Sequence, residues 1–395
     1  MRHCLHLLWL ACLWLAATYP ATAGPAADSL HVSLITCGPG EETYEVYGHT
    51  AIRVRNDSTG EDWAFNYGVF NFEQPHFIWR FVLGETDYQL GVAPFDYFVM
   101  NYAEDDRFVN EQVLNLDSDE KARLFAFLVA NYLPENRVYR YNFFDKNCTT
   151  QARDIIEMAV NGEIRWPDNP PHSYRDLLHV FTAQDAWLRF GQDLLIGTEA
   201  DQTLDTPGQD FLPLLLERDM AGAVIVDETG NRRPAVTETR QLTPQAPDTE
   251  TQTWFTPRKT ALAWFVLALG VAVIQVVKRR NWWWFDIPFI ALQGVAGCLI
   301  TFLFFASTHP GVDSNWLIAV LNPLPLLYLP WEIRRARRRR RDAYHIAAPA
   351  VIWAFTAFSP LTGQTVPAEL LFFINGLALL SVARVSLAYL NKTNE

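Results

Sequence analysis

Residues 145–160 have the sequence Asp-Lys-Asn-Cys-Thr-Thr-Gln-Ala-Arg-Asp-Ile-Ile-Glu-Met-Ala-Val. Ala152, Ile155, Ile156 and Ala159 recur at spacings of three and four, which is typical of one face of an α-helix. The polar residues before this stripe predict that the helix begins at Cys148. The unsatisfied N–H groups of a first helical turn favour a thiolate, so this position makes Cys148 a candidate nucleophile.

The chain before this helix predicts an antiparallel hairpin. Residues 30–36 and 49–55 alternate in polarity or carry β-branched side chains, and the turn at 56–60 leads into the apolar run 63–72. A helix over 117–132 and a strand over 137–143 follow. The mixture predicts an α+β domain in which His49 stands at the start of a strand.

Five later stretches are long and apolar enough to cross a bilayer: 260–277, 287–307, 315–331, 343–358 and 368–390. Basic residues follow the first and third of these spans, whereas the connections 308–314 and 359–367 contain no Lys or Arg. Positive charge marks the cytoplasmic side, so this pattern predicts a cytoplasmic C-terminus and an exported first part. Arg384, inside the last span, could snorkel to the cytoplasmic face or pair within the bundle, and we favour snorkelling.

The domain organisation follows from these signals. Residues 1–23 have the charge, apolar run and Ala21-Thr22-Ala23 ending of a signal peptide. We therefore predict a periplasmic domain at 24–227, a Thr- and Pro-rich linker at 228–259 and a five-span domain at 260–395 of a multi-pass protein of the bacterial inner membrane. Residues 24–259 hold 19 basic and 38 acidic side chains, which argues against nucleic-acid binding.

Two cysteines, Cys37 and Cys148, fall in the exported domain. A disulfide between them is the simplest interpretation in an oxidising compartment. The alternative is a thiol nucleophile, because His49 is placed to act as a base towards a helix-borne Cys148. The residues alone leave both interpretations open. We see no metal-ligand spacing, and thiol chemistry needs no cofactor.

Along the chain, a strand with the histidine is followed by a second strand and then by a helix with the cysteine. This order is similar to that of circularly permuted papain-like folds, such as the lecithin:retinol acyltransferase type. In that pattern a polar residue on the second strand orients the histidine, as the third member of a triad does. Asn66 is our choice for this residue by position, and Tyr67 is the alternative.

Longer motifs resemble the exported domain of the Lnb-type lipoprotein N-acyltransferases of Bacteroidota, and the likeness continues into the spans at His309-Pro310 and Asn322-Pro323-Leu324. The N-terminal motifs are Leu34-Ile35-Thr36-Cys37-Gly38-Pro39-Gly40, Tyr47-Gly48-His49-Thr50-Ala51-Ile52-Arg53-Val54, Phe65-Asn66-Tyr67-Gly68-Val69-Phe70 and Tyr141-Asn142-Phe143-Phe144-Asp145-Lys146-Asn147-Cys148-Thr149. The resemblance covers nearly the whole mature chain.

The resemblance implies acylation of the α-amine of the lipid-modified N-terminal cysteine of exported lipoproteins. Diacylated lipoproteins would be the acceptors and a membrane lipid the acyl donor. Cys148 would carry the acyl group as a thioester and His49 would be the base, with N–H groups at Cys148 and Thr149 binding the oxyanion. The residues expected to contact substrate are Tyr44, Tyr47, Tyr67, Thr149 and His309.

Two other functions remain open at this stage. Water in place of the amine would give a membrane-bound thiol esterase or hydrolase. A disulfide between Cys37 and Cys148 would instead favour a membrane receptor or assembly protein without catalysis.

Overall fold

The computed structural model describes residues 29–70, 73, 75–244, 254–337 and 342–392. The predicted signal peptide, 1–23, lies outside these ranges. The strands are β1 Leu30–Cys37, β2 His49–Asn56, β3 Glu61–Val69, β4 Asp87–Pro94, β5 Val109–Leu114, β6 Val138–Arg140, β7 Glu163–Arg165, β8 His172–Ser173, β9 Thr203–Leu204, β10 Val224–Val226, β11 Arg232–Pro234 and β12 Val236–Thr243.

The helices divide into two groups along the chain. The N-terminal domain contains α1 Phe77–Val82, α2 Phe95–Glu104, α3 Ser118–Tyr132, α4 Cys148–Ala159, α5 Tyr174–Phe181, α6 Ala186–Leu195, α7 Thr206–Gln209 and α8 Pro213–Gly222. The C-terminal domain contains α9 Pro257–Val277, α10 Trp283–Ala306, α11 Leu324–Arg337, α12 Tyr344–Phe358 and α13 Ala368–Lys392.

A seven-stranded sheet in the order β12-β5-β1-β2-β3-β4-β6 is the centre of the N-terminal domain. Its neighbouring strands are all antiparallel. Helices α3 and α4 cover one face with apolar residues such as Leu124 and Ile156, and α2 covers the other with Phe95 and Phe98. Both faces are therefore buried, and the predicted α+β class is confirmed.

Among the described residues of the C-terminal domain, five helical segments have the length and hydropathy to cross a membrane, which confirms the predicted spans. They are Pro257–Val277, Trp283–Ala306, Trp316–Arg337, Tyr344–Thr362 and Ala368–Leu390. The third is interrupted, since a 3-10 turn at Trp316–Ala319 is separated from α11 by residues 320–323. Pro323, which has no N–H to donate, is the last residue of this break.

The segment predicted as a linker differs from that prediction in its first half. Residues Val236–Thr243 form β12, which pairs with β5 at the edge of the main sheet, and Arg232–Pro234 form β11. Most side chains of β12 are exposed, so they are mostly polar and the composition of the strand resembles that of a linker. Residues 245–253 lie outside the described ranges.

The interpretation of Arg384 as a snorkelling residue is wrong. Its guanidinium is buried and forms ion pairs with Asp286 of α10 at 2.6 Å and Glu332 of α11 at 2.7 Å. Both partners are distant in sequence, and nothing in the last span itself indicates them. The charge is therefore neutralised inside the bundle rather than at its edge.

Candidate active site

A cavity of about 720 Å³ lies where the start of β2, the end of β3 and the start of α4 meet. Its lining includes His49, Asn66 and Cys148, one from each of these elements, together with His309 from the C-terminal domain. The predicted catalytic residues are thus brought to one place.

The local sequence fixes Cys148 at the first position of α4. The Asn147 side chain caps the helix, since its Oδ1 accepts from the N–H groups of Thr149 at 2.8 Å and Thr150 at 2.9 Å. Its Nδ2 donates to the carbonyl oxygens of Phe143 and Phe211, which anchors the cap from behind. This side-chain cap ends the preceding loop and presents the thiol at the positive end of the helix.

The cap also changes the expected oxyanion site. Because Asn147 already accepts from the Thr149 N–H, that group is not available as predicted. Thr149 is instead anchored by its hydroxyl, which lies 3.1 Å from the Thr50 hydroxyl of β2. Of the two donors predicted, the Cys148 N–H is the one that the cap leaves unused.

His49 and Asn66 face each other across neighbouring strands. The Nε2 of His49 lies 2.5 Å from the Oδ1 of Asn66, so this nitrogen donates and Nδ1 is left for the thiol. Tyr67, the alternative to Asn66, points to the opposite face because side chains alternate along a strand. There it is buried in the core, and its hydroxyl accepts from Asn131.

Cys148 and His49 line the same cavity, and each changes the pKa of the other. Burial raises the pKa of Cys148, but the charge and hydrogen bond of His49, with smaller contributions from the Thr50 N–H and Thr149 hydroxyl, lower it below its ordinary value overall. Burial lowers the pKa of His49, but the Cys148 thiolate and the hydrogen bonds of Cys148 and Asn66 raise it overall. These opposite shifts favour a thiolate–imidazolium pair.

Tyr102 of α2 is a site residue that the sequence analysis missed. Its ring stacks on the His49 imidazole at a centroid distance of 6.4 Å, and it packs in the same cluster as Cys37. Arg107 lies over the same ring at 4.6 Å. Helix α2 comes from another part of the chain, so no local pattern around His49 indicates this packing.

Cys37 and Cys148 are both free thiols in this structure, and Cys37 is fully buried beside Tyr102. Burial raises the pKa of Cys37, the opposite of the change at Cys148. Cys37 therefore has the properties of a packed apolar residue. Among the described residues, no group of three His, Cys or carboxylate side chains could hold a metal ion.

Four of the five predicted substrate-contacting residues line the cavity: Tyr44, Tyr47, Thr149 and His309. Tyr67 does not, because its side chain points to the opposite face of the sheet. Tyr47 is held by a hydrogen bond from its hydroxyl to Gln192 of α6 at 2.9 Å. The sequence analysis missed the aromatic residues that follow Asn66 along the cavity wall, among them Phe70 and Tyr88.

The N-terminal domain is joined to the end of the bundle whose loops carry no Lys or Arg. The Gly197 N–H donates to the Gly311 carbonyl oxygen at 2.7 Å, and Asn315 Nδ2 donates to the Leu194 carbonyl oxygen at 2.8 Å. On the second loop of that end, the Thr365 N–H donates to Asp201. The cavity is thereby held next to the membrane spans.

Comparison with protein families accounts for both halves of this arrangement. Residues 18–180 match the Lnb N-terminal periplasmic domain, and residues 248–392 match the Lnb transmembrane domain. The chain belongs to the Lnb family. No individual curated protein and no solved structure matches the chain. Membership of the Lnb family confirms the resemblance and indicates an acyltransferase with a periplasmic N-terminal domain.

The ion pair predicts selective alkylation of Cys148. At about pH 7, below the ordinary thiol pKa of about 8.5, iodoacetamide should modify Cys148 because its lowered pKa provides thiolate. The His49→Ala variant should need a higher pH for the same rate. Peptide mapping by mass spectrometry measures both, and buried Cys37 is the internal control that stays unmodified in the folded protein. Identical pH profiles for wild type and His49→Ala would contradict the ion pair.

Proposed function

We propose that this Lnb protein transfers an acyl chain from a lipid ester to the α-amine of the lipid-modified N-terminal cysteine of exported lipoproteins. The observation that carries the proposal is the placement of Cys148 beside the His49–Asn66 hydrogen bond in a cavity that the membrane domain helps to line. This arrangement supports a thiol nucleophile with its base that acts on lipid substrates at the membrane surface.

The first step forms a thioester. The Cys148 thiolate attacks the ester carbonyl, the carbon–oxygen bond to the lipid alcohol breaks, and the His49 imidazolium gives its proton to the leaving alkoxide. The products are S-acyl-Cys148, a lysolipid and neutral His49. The Cys148 N–H at the start of α4 is positioned to donate to the oxyanion of the tetrahedral intermediate.

The second step forms the amide. The α-amine of the lipoprotein attacks the thioester carbonyl, neutral His49 takes a proton from that amine, and the carbon–sulfur bond breaks. The thiolate and imidazolium are thereby restored. Asn66 keeps the Nε2 of His49 in a hydrogen bond, so that Nδ1 faces the sulfur throughout both steps.

The location of the cavity supports a transferase that works on membrane-held substrates. Donor ester and lipoprotein acceptor both have acyl chains in the bilayer, so a site fixed to five spans meets them without extracting either. The topology that goes with this proposal places the C-terminus in the cytoplasm, as the basic residues after the first and third spans indicate. The donor is a phospholipid or the diacylglyceryl group of the lipoprotein itself.

The function is tested by intact mass of a purified diacylated lipoprotein incubated with the reconstituted protein. Wild type should add one acyl mass at the lipoprotein N-terminus, and Cys148→Ser should add none. Cys298→Ser is the matched control and should remain active, because Cys298 lies on the span α10 and does not line the cavity. Release of free fatty acid without N-acylated product would replace the transferase with a thiol esterase.

A further inference from the structure

Helix α1 lies between the cavity and the outer end of the spans. Phe77 and Phe81 of this helix line the cavity. Ile78 and Trp79, on its other side, are 77% and 57% exposed. A short helix with large apolar side chains on both sides is unusual on a water-facing surface and typical of a segment that contacts lipid.

Contacts with the C-terminal domain fix the depth of α1. The Trp79 ring lies 5.4 Å from that of Phe302, which is about one turn before α10 ends at Ala306. At 1.5 Å per residue this is roughly 6 Å inside the end of the span. Trp79 is therefore at the depth of a membrane–water interface, where tryptophan is enriched.

The loop after α1 is joined closely to the first outer loop of the bundle. The Thr308 N–H donates to the Leu83 carbonyl oxygen at 2.9 Å, and His309 Nε2 donates to the Phe81 carbonyl oxygen at 2.6 Å. Gly84 has a φ of +78°, and a Cβ there would lie 2.5 Å from the Thr308 hydroxyl. Only glycine allows both this backbone conformation and this approach.

A continuous aromatic wall leads from this junction to the thiol. The ring centroids of Phe81 and Phe77 are 6.3 Å apart, and those of Phe77 and Phe70 are 6.1 Å apart. The wall continues from Phe70 to Tyr88 with a centroid distance of 5.0 Å, and from Tyr88 to Tyr141 with one of 4.6 Å. Tyr141 and Cys148 both lie next to Gly68, within 4 Å of the position that a Cβ would take. The wall thus joins the membrane end of the cavity to the reacting sulfur.

We propose that α1 and the Phe81–His309 junction form a portal through which one acyl chain of an outer-leaflet diacyl lipid reaches Cys148 along the aromatic wall. Ile78 and Trp79 lie in the membrane surface and keep the portal at the level of the lipid ester. Burial lowers the pKa of His309, so the imidazole at the junction is uncharged at neutral pH and compatible with an apolar chain. The portal rests on the thioester chemistry proposed above.

The test compares two acyl donors on the full chain in phosphatidylethanolamine and phosphatidylglycerol vesicles. One donor is the vesicle lipid, and the other is a water-soluble 4-nitrophenyl butyrate that needs no portal. Intact mass gives the rate at which Cys148 acquires each acyl group. The Ile78→Glu, Trp79→Glu double variant should lower the ratio of lipid to soluble rate about tenfold or more, because carboxylates are costly at this depth.

Val129→Glu with Met158→Glu is the matched control, since both residues are exposed and apolar but lie on α3 and at the far end of α4. Its ratio should stay at the wild-type value. An unchanged ratio in the α1 variant, including an equal loss with both donors, would overturn the portal. If wild type forms no acylated Cys148 with the vesicle lipid or with the soluble ester, the proposed function itself is overturned.

The position of α1 can be measured without any reaction. A nitroxide on Ile78→Cys, in a Cys148→Ser, Cys298→Ser background, should relax faster with oxygen than with a water-soluble nickel chelate in vesicles. The same label on Met158→Cys should show the reverse preference. A water-exposed label at position 78 would contradict the portal independently of the kinetics.

Discussion

Replacement of His49 by alanine is expected to slow acylation of Cys148 about a thousandfold near pH 7, within the range that a positioned acid–base group contributes. Two effects combine in this variant. The thiol loses the partner that lowers its pKa, and the leaving alkoxide loses its proton donor. Rapid-quench intact mass of the acyl-enzyme in a single turnover measures the step directly.

The pH dependence separates these two effects. Without His49, burial keeps the pKa of the Cys148 thiol above its ordinary value of about 8.5, so the His49→Ala variant should recover part of its rate only as pH rises beyond that value. The remaining deficit measures the lost proton donor. His31→Ala is a matched control, because His31 lies on the neighbouring strand β1 but is exposed and paired with Asp57 at 2.8 Å. It should react at the wild-type rate.

Asn66 provides the positioning arm of the same experiment. Asn66→Ala should lower the rate by about 10- to 100-fold, the range seen when the partner that orients a metal-bound histidine is removed. Asn66→Asp keeps an oxygen acceptor for Nε2 and should retain more activity than the alanine variant.

A rate in His49→Ala within threefold of wild type at pH about 7 would remove His49 from the mechanism.

The parts of the site that the sequence predicted depend on local patterns. Asn147 caps a helix whose apolar stripe begins five residues later, at Ala152, so the position of Cys148 follows from neighbours in the chain. His49 follows from strand alternation in the same way. The choice between Asn66 and Tyr67 needed the register of β3 against β2, because adjacent residues of a strand face opposite sides.

The parts that it missed depend on pairing between distant segments. Tyr102 reaches His49 because α2 packs across the sheet face that carries β2. β12 adds to the sheet through backbone hydrogen bonds with β5, so its side chains need no apolar pattern. The partners of Arg384 could not be identified from the sequence for the same reason, since they lie on α10 and α11.

Replacement of Arg384 by methionine is expected to destabilise the membrane domain by about 3–5 kcal/mol, because two buried carboxylates lose their cation. Asp286 and Glu332 are each 1% exposed. Arg384 also donates to the Trp283 carbonyl oxygen and to His345, at 2.8 Å each, so the change affects contacts with three helices. Thermal unfolding of the detergent-solubilised protein should shift down by about 10 °C.

A charge-neutral background distinguishes an unpaired charge from lost packing. In the triple variant Asp286→Asn, Glu332→Gln, Arg384→Met, neutral amides replace both carboxylates and no cation is needed. Most of the lost melting temperature should therefore return. Arg384→Lys should fall between wild type and Arg384→Met, because an ammonium keeps the charge but lacks the planar fork that reaches both carboxylates. If the triple variant melts no higher than Arg384→Met, the guanidinium acts through packing, and the ion pairs are not what stabilises the bundle.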